Sequence, residues 1–442
     1  MLKLPIAVLL VWMFLKSSGT AVNAESLVGS MALSGEYESE LSMTTGTVNR
    51  QKFEFLLTPE INAKLSPAMH LTVISRLRGD IENELEPGKP GQGNRSAYSK
   101  RWLAGGNLDV ELREAYIDTE IGDSFMRLGK QQVVWGQADG LKILDILNPQ
   151  SFREFILDDF EDSRIPLWTV NVEIPVNKIF LQILWIPDQT YDDIPESDAI
   201  FAFTSPQLVP VLPIGVPVHV LPVNRPNRVI RDSDVGVKLS MFVNGWDYSL
   251  NYAYHYFDRP VVRREISITG ITVLQEYKRT HLLGGTFSNV FDDFTLRGEF
   301  GFSSDRFFLT SDTNDRDGVI ESGEFSYVLG LDYQGWRDWF VSGQVFQSFI
   351  TKPTASLVRD KAETTITLLL RRDFMNEVLQ AEVLAIQSLN LGDGVIQISI
   401  EYEWRSNIRL KVGADVFYGD LQGLFGQFDK QDRISLGIEF GF

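Results

Sequence analysis

The 442-residue chain has no cysteine, so disulfide frameworks, thiolate metal sites and cysteine nucleophiles are excluded together. Its histidines, His70, His219, His255 and His281, are scattered without metal-ligand spacing, and no G-x-S-x-G elbow occurs to pair with one of them, which argues against a hydrolase. Beyond the first two dozen residues there is no apolar run long enough for a transmembrane helix, so any passage through a bilayer must be made by strands. Excess positive charge is also missing. The formal net charge is −18, and losing Lys3 and Lys16 with the N-terminal segment would lower it further, which argues against nucleic acid as a partner.

What is present sits first at the two ends. Lys3 precedes an apolar run from Leu4 to Leu15, and small residues then lead to Val22-Asn23-Ala24, the pattern of a signal peptide over residues 1–24 that is cleaved on export. At the other end, Gln431 to Phe442 alternates strictly: Ile434, Leu436, Ile438, Phe440 and Phe442 share one face, and Ser435, Gly437, Glu439 and Gly441 the other. A strand ending on an aromatic carboxylate resembles the closing strand of a bacterial outer-membrane barrel, with Phe442 as the expected handle for the barrel-assembly machinery. Aromatic content of 12% and a mean hydropathy near zero suit such a barrel, apolar towards lipid and polar towards its lumen.

The same dyad recurs along the chain. Trp246, Tyr248, Leu250, Tyr252, Tyr254 and Tyr256 alternate with Asp247, Ser249, Asn251, Ala253 and His255. Leu296, Phe300 and Phe302 alternate with Thr295, Arg297, Glu299 and Gly301, and Ile396, Ile398, Ile400, Tyr402 and Trp404 with Gln397, Ser399, Glu401 and Glu403. These read as lipid-out, lumen-in strands. Tight polar turns at Ser66-Pro67, Gly122-Asp123, Val176-Asn177, Asn244-Gly245, Asp292-Asp293, Gly335-Trp336, Met375-Asn376 and Ser406-Asn407 alternate with longer connections. The fold class expected for residues 25–442 is therefore all-β, a transmembrane antiparallel barrel of the outer-membrane type with roughly eighteen strands, sixteen being the competing number.

A barrel that wide needs a plug or an inward loop, or it is an open channel. The candidate filler is residues 135–166. Leu141, Leu144 and Leu147 have helical spacing, Asn148-Pro149 breaks it, and Phe152, Phe155 and Ile156 resume it, so two short inward helices are expected. Gln131, Trp135, Gln137, Asp139, Lys142, Asp145, Asn148, Arg153, Glu154, Asp158, Asp159 and Asp162 are then the candidate constriction residues. The alternative is that Arg153 and Arg164 pair with these carboxylates merely to pin the segment.

The run Leu128 to Gly140, continued by Asp145-Ile146-Leu147-Asn148-Pro149-Gln150-Ser151-Phe152-Arg153-Glu154-Phe155 and Ile165-Pro166-Leu167-Trp168, resembles the signature of a proteobacterial outer-membrane barrel family catalogued as domain of unknown function 1302. Members of that family are often encoded beside an exporter of the resistance-nodulation-division class and an outer-membrane lipoprotein. The resemblance therefore implies such partners and a lipidic or other hydrophobic cargo; it supplies no catalytic residue, and no enzyme activity is expected.

Residues 193–231 form a second insertion, apolar and rich in proline, with Phe201, Phe203, Leu208, Leu212 and Ile214 as its hydrophobic markers. Proline rules out a long helix and a central strand there, leaving an extended outer loop that could contact a hydrophobic ligand, sit among lipopolysaccharide, or pack inward as a lid. Asp315, Asp317, Glu321 and Glu324 are spaced like ligands of a calcium loop, although Thr313 stands where an aspartate is expected. Calcium is thus a candidate structural ion, and no other cofactor is implied. Arg259, Arg263, Arg264, Lys278, Arg279 and His281 bracket another outer loop, where outer-membrane lipid and lipopolysaccharide phosphates are the natural partners and plain solvation the alternative. Three function classes follow: a conduit for hydrophobic cargo, a general diffusion porin for small polar or cationic solutes, and a surface or adhesion protein that transports nothing.

Overall fold

The computed structural model describes residues 27–41, 48–138, 140–211, 215–312 and 315–441. The signal-peptide segment 1–24 and the candidate residues Asp139, Leu212, Ile214, Thr313 and Phe442 lie outside the described residues.

Among the described residues, nineteen strands hydrogen-bond into one sheet. One of them, Trp102–Ala104, is a three-residue flap on Leu108–Ile121. The other eighteen follow one another in chain order, each antiparallel to the next, and Leu27–Leu41 pairs with both Val48–Ser66 and the last strand, Arg433–Gly441. Closure leaves the ring without an unpaired edge, the condition for crossing lipid with strands. The ring has the larger of the two strand numbers expected from the sequence.

All eight tight turns read from the sequence join consecutive strands, and they fall on one rim. Asn244 and Gly245 have φ of 52° and 83°, as the mirror-image hairpin turn that suits strand twist requires. Along Trp246–Tyr256 the alternation is that of a lipid-facing wall: Leu250 is 49% exposed and Asn251 fully buried. The polar face turns inward because lipid offers no hydrogen bonds.

Residues 132–166 cross the lumen instead of projecting from it. Two short helices were expected; the segment is helical only in the single turn Phe160–Ser163. The reason lies in its hydrogen bonds: main-chain N–H groups of Val133, Gln137, Ala138, Leu144 and Gln150 are taken by side chains of Asn148, Glu299 and Asp192, so the i→i−4 pattern is not needed to satisfy them. The apolar insertion divides. Phe201 and Phe203 turn inward against Phe152, Phe155, Phe417 and Phe428. Val218–Val220 instead forms the edge of a three-stranded outer sheet with Gly270–Glu276 and Val261–Ser267.

Candidate functional site

The inward segment is pinned to one side of the lumen by buried charge. Strands Val48–Ser66 and Met69–Asp80 aim Lys52, Glu54 and Asp80 inward, and the last strand aims Arg433. Glu154 reaches Lys52 at 2.9 Å and Arg433 at 2.8 Å, while Arg153 reaches Glu54 at 2.8 Å and Asp80 at 3.1 Å. Arg153 also contacts Glu86, in the loop above, at 3.3 Å. The wall and that loop continue the network through Arg101–Glu86 (2.6 Å), Arg76–Glu111 (2.7 Å) and Arg95–Glu111 (3.0 Å). Desolvation on this scale is tolerated only because each charge faces an opposite one with good geometry.

A second anchor lies towards the turn-bearing rim. Glu299, on strand Phe294–Leu309, accepts the main-chain N–H of Gln137, of Ala138 at 2.7 Å and of Leu144 at 3.2 Å. Trp135 donates its indole N–H to Gln182 at 2.8 Å and packs its ring against Gly236, where a Cβ would come within 2.9 Å of it. Asn148 ties the two ends of the segment together, accepting from the N–H of Val133 (2.7 Å) and donating to the carbonyl of Ile165 (2.9 Å).

Between the pinned segment and the opposite wall a cavity of about 480 Å³ remains. The segment contributes an apolar cluster, with Leu141, Ile143, Phe152, Phe155 and Ile156, beside the charged Lys142, Asp145 and Asp158. The wall contributes a polar side, with Ser303, Ser326, Gln347, Ser348 and Thr365 around an ion cluster. In that cluster Glu324 holds Arg359 at 2.7 Å and Arg306 at 3.4 Å, and Arg359 also meets Glu363 at 2.9 Å. At the segment's side of the cavity, burial pulls the Lys142 ammonium down to about 8, with Asp145 at 3.5 Å opposing the shift. Burial, with Glu154 nearby, pushes Asp158 up to about 7. Above it, burial raises Asp192 and, helped by Asp192 itself, Asp258, while Arg259 opposes both.

The candidate constriction residues thus separate by location. Lys142, Asp145, Asn148 and Asp158 border the cavity. Gln131, Trp135, Arg153 and Glu154 are buried in the anchors, and Gln137 contributes its main chain to Glu299. Asp159 and Asp162 are exposed around the one-turn helix. Arg164 pairs with Asp145 at 2.7 Å, so Asp145 both borders the cavity and helps to hold the segment in place. Of the loop markers, Phe203 and Leu208 border the cavity, and Phe201 is fully buried behind it. The residues that sequence reading missed are Arg306, Arg359 and the anchoring of Glu299; Glu299 stood out only as an inward-facing position of an alternating strand, with nothing to mark its partners.

The four calcium candidates do not converge. Among the described residues no group of carboxylates is gathered for a metal. Asp315 spends one oxygen on the N–H groups of Asp317 and Gly318, Glu321 is exposed, and Glu324 points into the lumen to Arg306 and Arg359. Strand parity separates the glutamates, since the intervening Ser322 is buried on the lumen side.

A family model described as "Protein of unknown function (DUF1302)" matches residues 78–384, which hold both anchors' inward segment and most of the cavity wall. The chain belongs to the DUF1302 family. No curated protein matches this DUF1302 chain. Solved barrels share its fold at low identity. OccK8 (OprE) of Pseudomonas aeruginosa superposes with a TM-score of 0.55 at 10% identity, covering 96% of this chain and 99% of that one. OccAB2 of Acinetobacter baumannii gives 0.54 at 10% over 96% and 99%. OpdK of P. aeruginosa, crystallised with vanillate, gives 0.53 at 11% over 95% and 99%. At such identity the likeness establishes the architecture, a closed outer-membrane-type barrel, for the DUF1302 chain.

Proposed function

We propose that this barrel is an outer-membrane channel for small amphipathic molecules, whose route passes through the cavity left beside the inward segment. The observation that carries the reading is the mixed lining: an apolar cluster on the segment, flanked by Lys142, Asp145 and Asp158, opposite a polar, charge-balanced ion cluster on the wall. A volume of about 480 Å³ falls in the range of small-molecule sites. The lipidic cargo suggested by the family resemblance narrows accordingly to molecules with one apolar body and a polar edge; a lipid with several chains would require the segment to move. Of the barrels with this fold, OpdK was crystallised with vanillate and OccK2 of P. aeruginosa with glucuronate, both carboxylates. Uphill movement would need an inner-membrane exporter to supply the energy, because the outer membrane holds no ATP or strong ion gradient.

The test is single-channel recording of the purified barrel in a planar bilayer. Millimolar vanillate, aromatic on one side, should interrupt the current, whereas glucuronate, of equal charge but polar throughout, should not. A large steady current indifferent to both would replace this reading with a general diffusion porin. Electrical silence with either solute would favour a non-transporting barrel.

A further inference from the structure

We propose that the outer rim beside strands Asp234–Val243 and Arg279–Phe291 binds the phosphates of an outer-leaflet glycolipid through Arg228 and Arg231. This surface faces lipid, not the lumen, and the inference is independent of what the cavity carries.

Strand parity fixes the direction. Val235, Tyr252 and Leu283 are exposed on the outward face, and the pairings Val235↔Tyr254 and Tyr254↔His281 place Tyr254 and His281 with them. On this face His281 stacks on Tyr254 with ring centres 4.6 Å apart and bonds the Tyr252 hydroxyl at 2.9 Å. The Arg279 guanidinium lies over Tyr254 at 4.5 Å and Tyr256 at 4.2 Å. These aromatics form the interfacial belt where a barrel meets the headgroups.

Above the belt sits the turn Arg228-Val229-Ile230-Arg231-Asp232. It is closed by the bond from Asp232 N–H to the Arg228 carbonyl at 2.8 Å, and Asp232 accepts the Arg228 and Asn227 N–H groups at 2.9 and 3.1 Å. Arg279 fastens it to the belt by donating to the carbonyls of Arg231 (3.3 Å) and Ser233 (2.8 Å). So held, the turn presents Ile230, 81% exposed, between two exposed arginines. Water alone gives no reason to fasten an isoleucine in that position. An interface does: the apolar side chain enters the acyl boundary continuous with the lipid-facing wall, and the flanking guanidiniums meet phosphate oxygens, for which their fork geometry is suited. The complementary partner is a phosphorylated glycolipid with its anionic groups at the same depth.

Native mass spectrometry of the full-length barrel, titrated with bisphosphorylated lipid A and with its dephosphorylated form, reads the assignment. Wild type should bind the phosphorylated form at least about tenfold more tightly. Replacing both arginines (Arg228→Ala with Arg231→Ala) should weaken it roughly thirtyfold, from about a factor of five per basic group near an anionic surface. Arg228→Lys with Arg231→Lys should keep most of the binding, and Arg337→Ala, which removes an exposed arginine at the opposite rim, should leave it unchanged. Heat-modifiable gel migration confirms that each variant is folded. Equal binding of the two lipid forms, an equal loss in Arg337→Ala, or displacement of lipid A by inorganic phosphate would each overturn the proposal.

Discussion

Removing Glu154 tests whether ion pairing holds the inward segment in place. Its carboxylate, 2% exposed, is shared by Lys52, Arg433 and Arg153 at 2.8 to 2.9 Å. Breaking a buried pair by deleting one partner costs about 3–5 kcal/mol, because the abandoned charge stays desolvated. Arg153 keeps Glu54 and Asp80, Arg433 keeps Asp415 at 2.6 Å, and Lys52 stays in the field of Glu54 and Asp158, so the low end, about 3 kcal/mol, applies. At 1.4 kcal/mol per decade, Glu154→Ala should raise the population of the displaced segment roughly a hundredfold. In planar bilayers this should appear as brief high-conductance bursts, about a hundred times more frequent than in wild type, from a barrel that still shows heat-modifiable migration. Pairing the change with Lys52→Ala removes one buried positive charge from the unbalanced cluster and should reverse part of the effect. Wild-type burst frequency in folded Glu154→Ala would refute the idea that this knot holds the segment.

Glu299→Ala strands three main-chain N–H groups at about 1–3 kcal/mol each, so deuterium exchange at residues 137–144 should accelerate while the strands stay protected. Glu299→Gln, which keeps acceptor oxygen, should exchange more slowly than the alanine variant. Trp135→Ala removes the indole packed on Gly236 and its bond to Gln182, at about 3–5 kcal/mol, and limited proteolysis should then cut between residues 135 and 166 where wild type resists. Rising pH makes the cavity more negative in two steps of the same sign. Asp158, raised to about 7, gives up its proton between about pH 6 and 8, and Lys142, lowered to about 8, loses its charge slightly higher. Cation preference in reversal-potential measurements should therefore grow from pH 6 to 9 on this account, and Asp158→Asn should remove the lower part of the rise.

Much of the architecture was legible in the chain because a barrel wall repeats a two-residue period against two different solvents. Each strand, such as Trp246 to Tyr256, therefore declares its own faces, and each Asn-Gly or Asp-Asp turn declares its rim. That residues 135–166 need cover was also legible, since so apolar a segment cannot stand in water. Its conformation was not: helical spacing at Leu141, Leu144 and Leu147 was overridden by Glu299 and Asn148, whose hold on the main chain depends on a strand more than 150 residues away and on the segment's own return. The same holds for Glu324, whose spacing from Asp315 suggested a metal ligand and whose lumen-facing position gave it two arginines instead. What the sequence determined by itself was everything governed by local periodicity and by the solvent on each side of the wall. Which charges meet inside the lumen, and hence where the cavity remains, was decided only by tertiary closure, because ring closure brings together side chains that no short-range pattern relates.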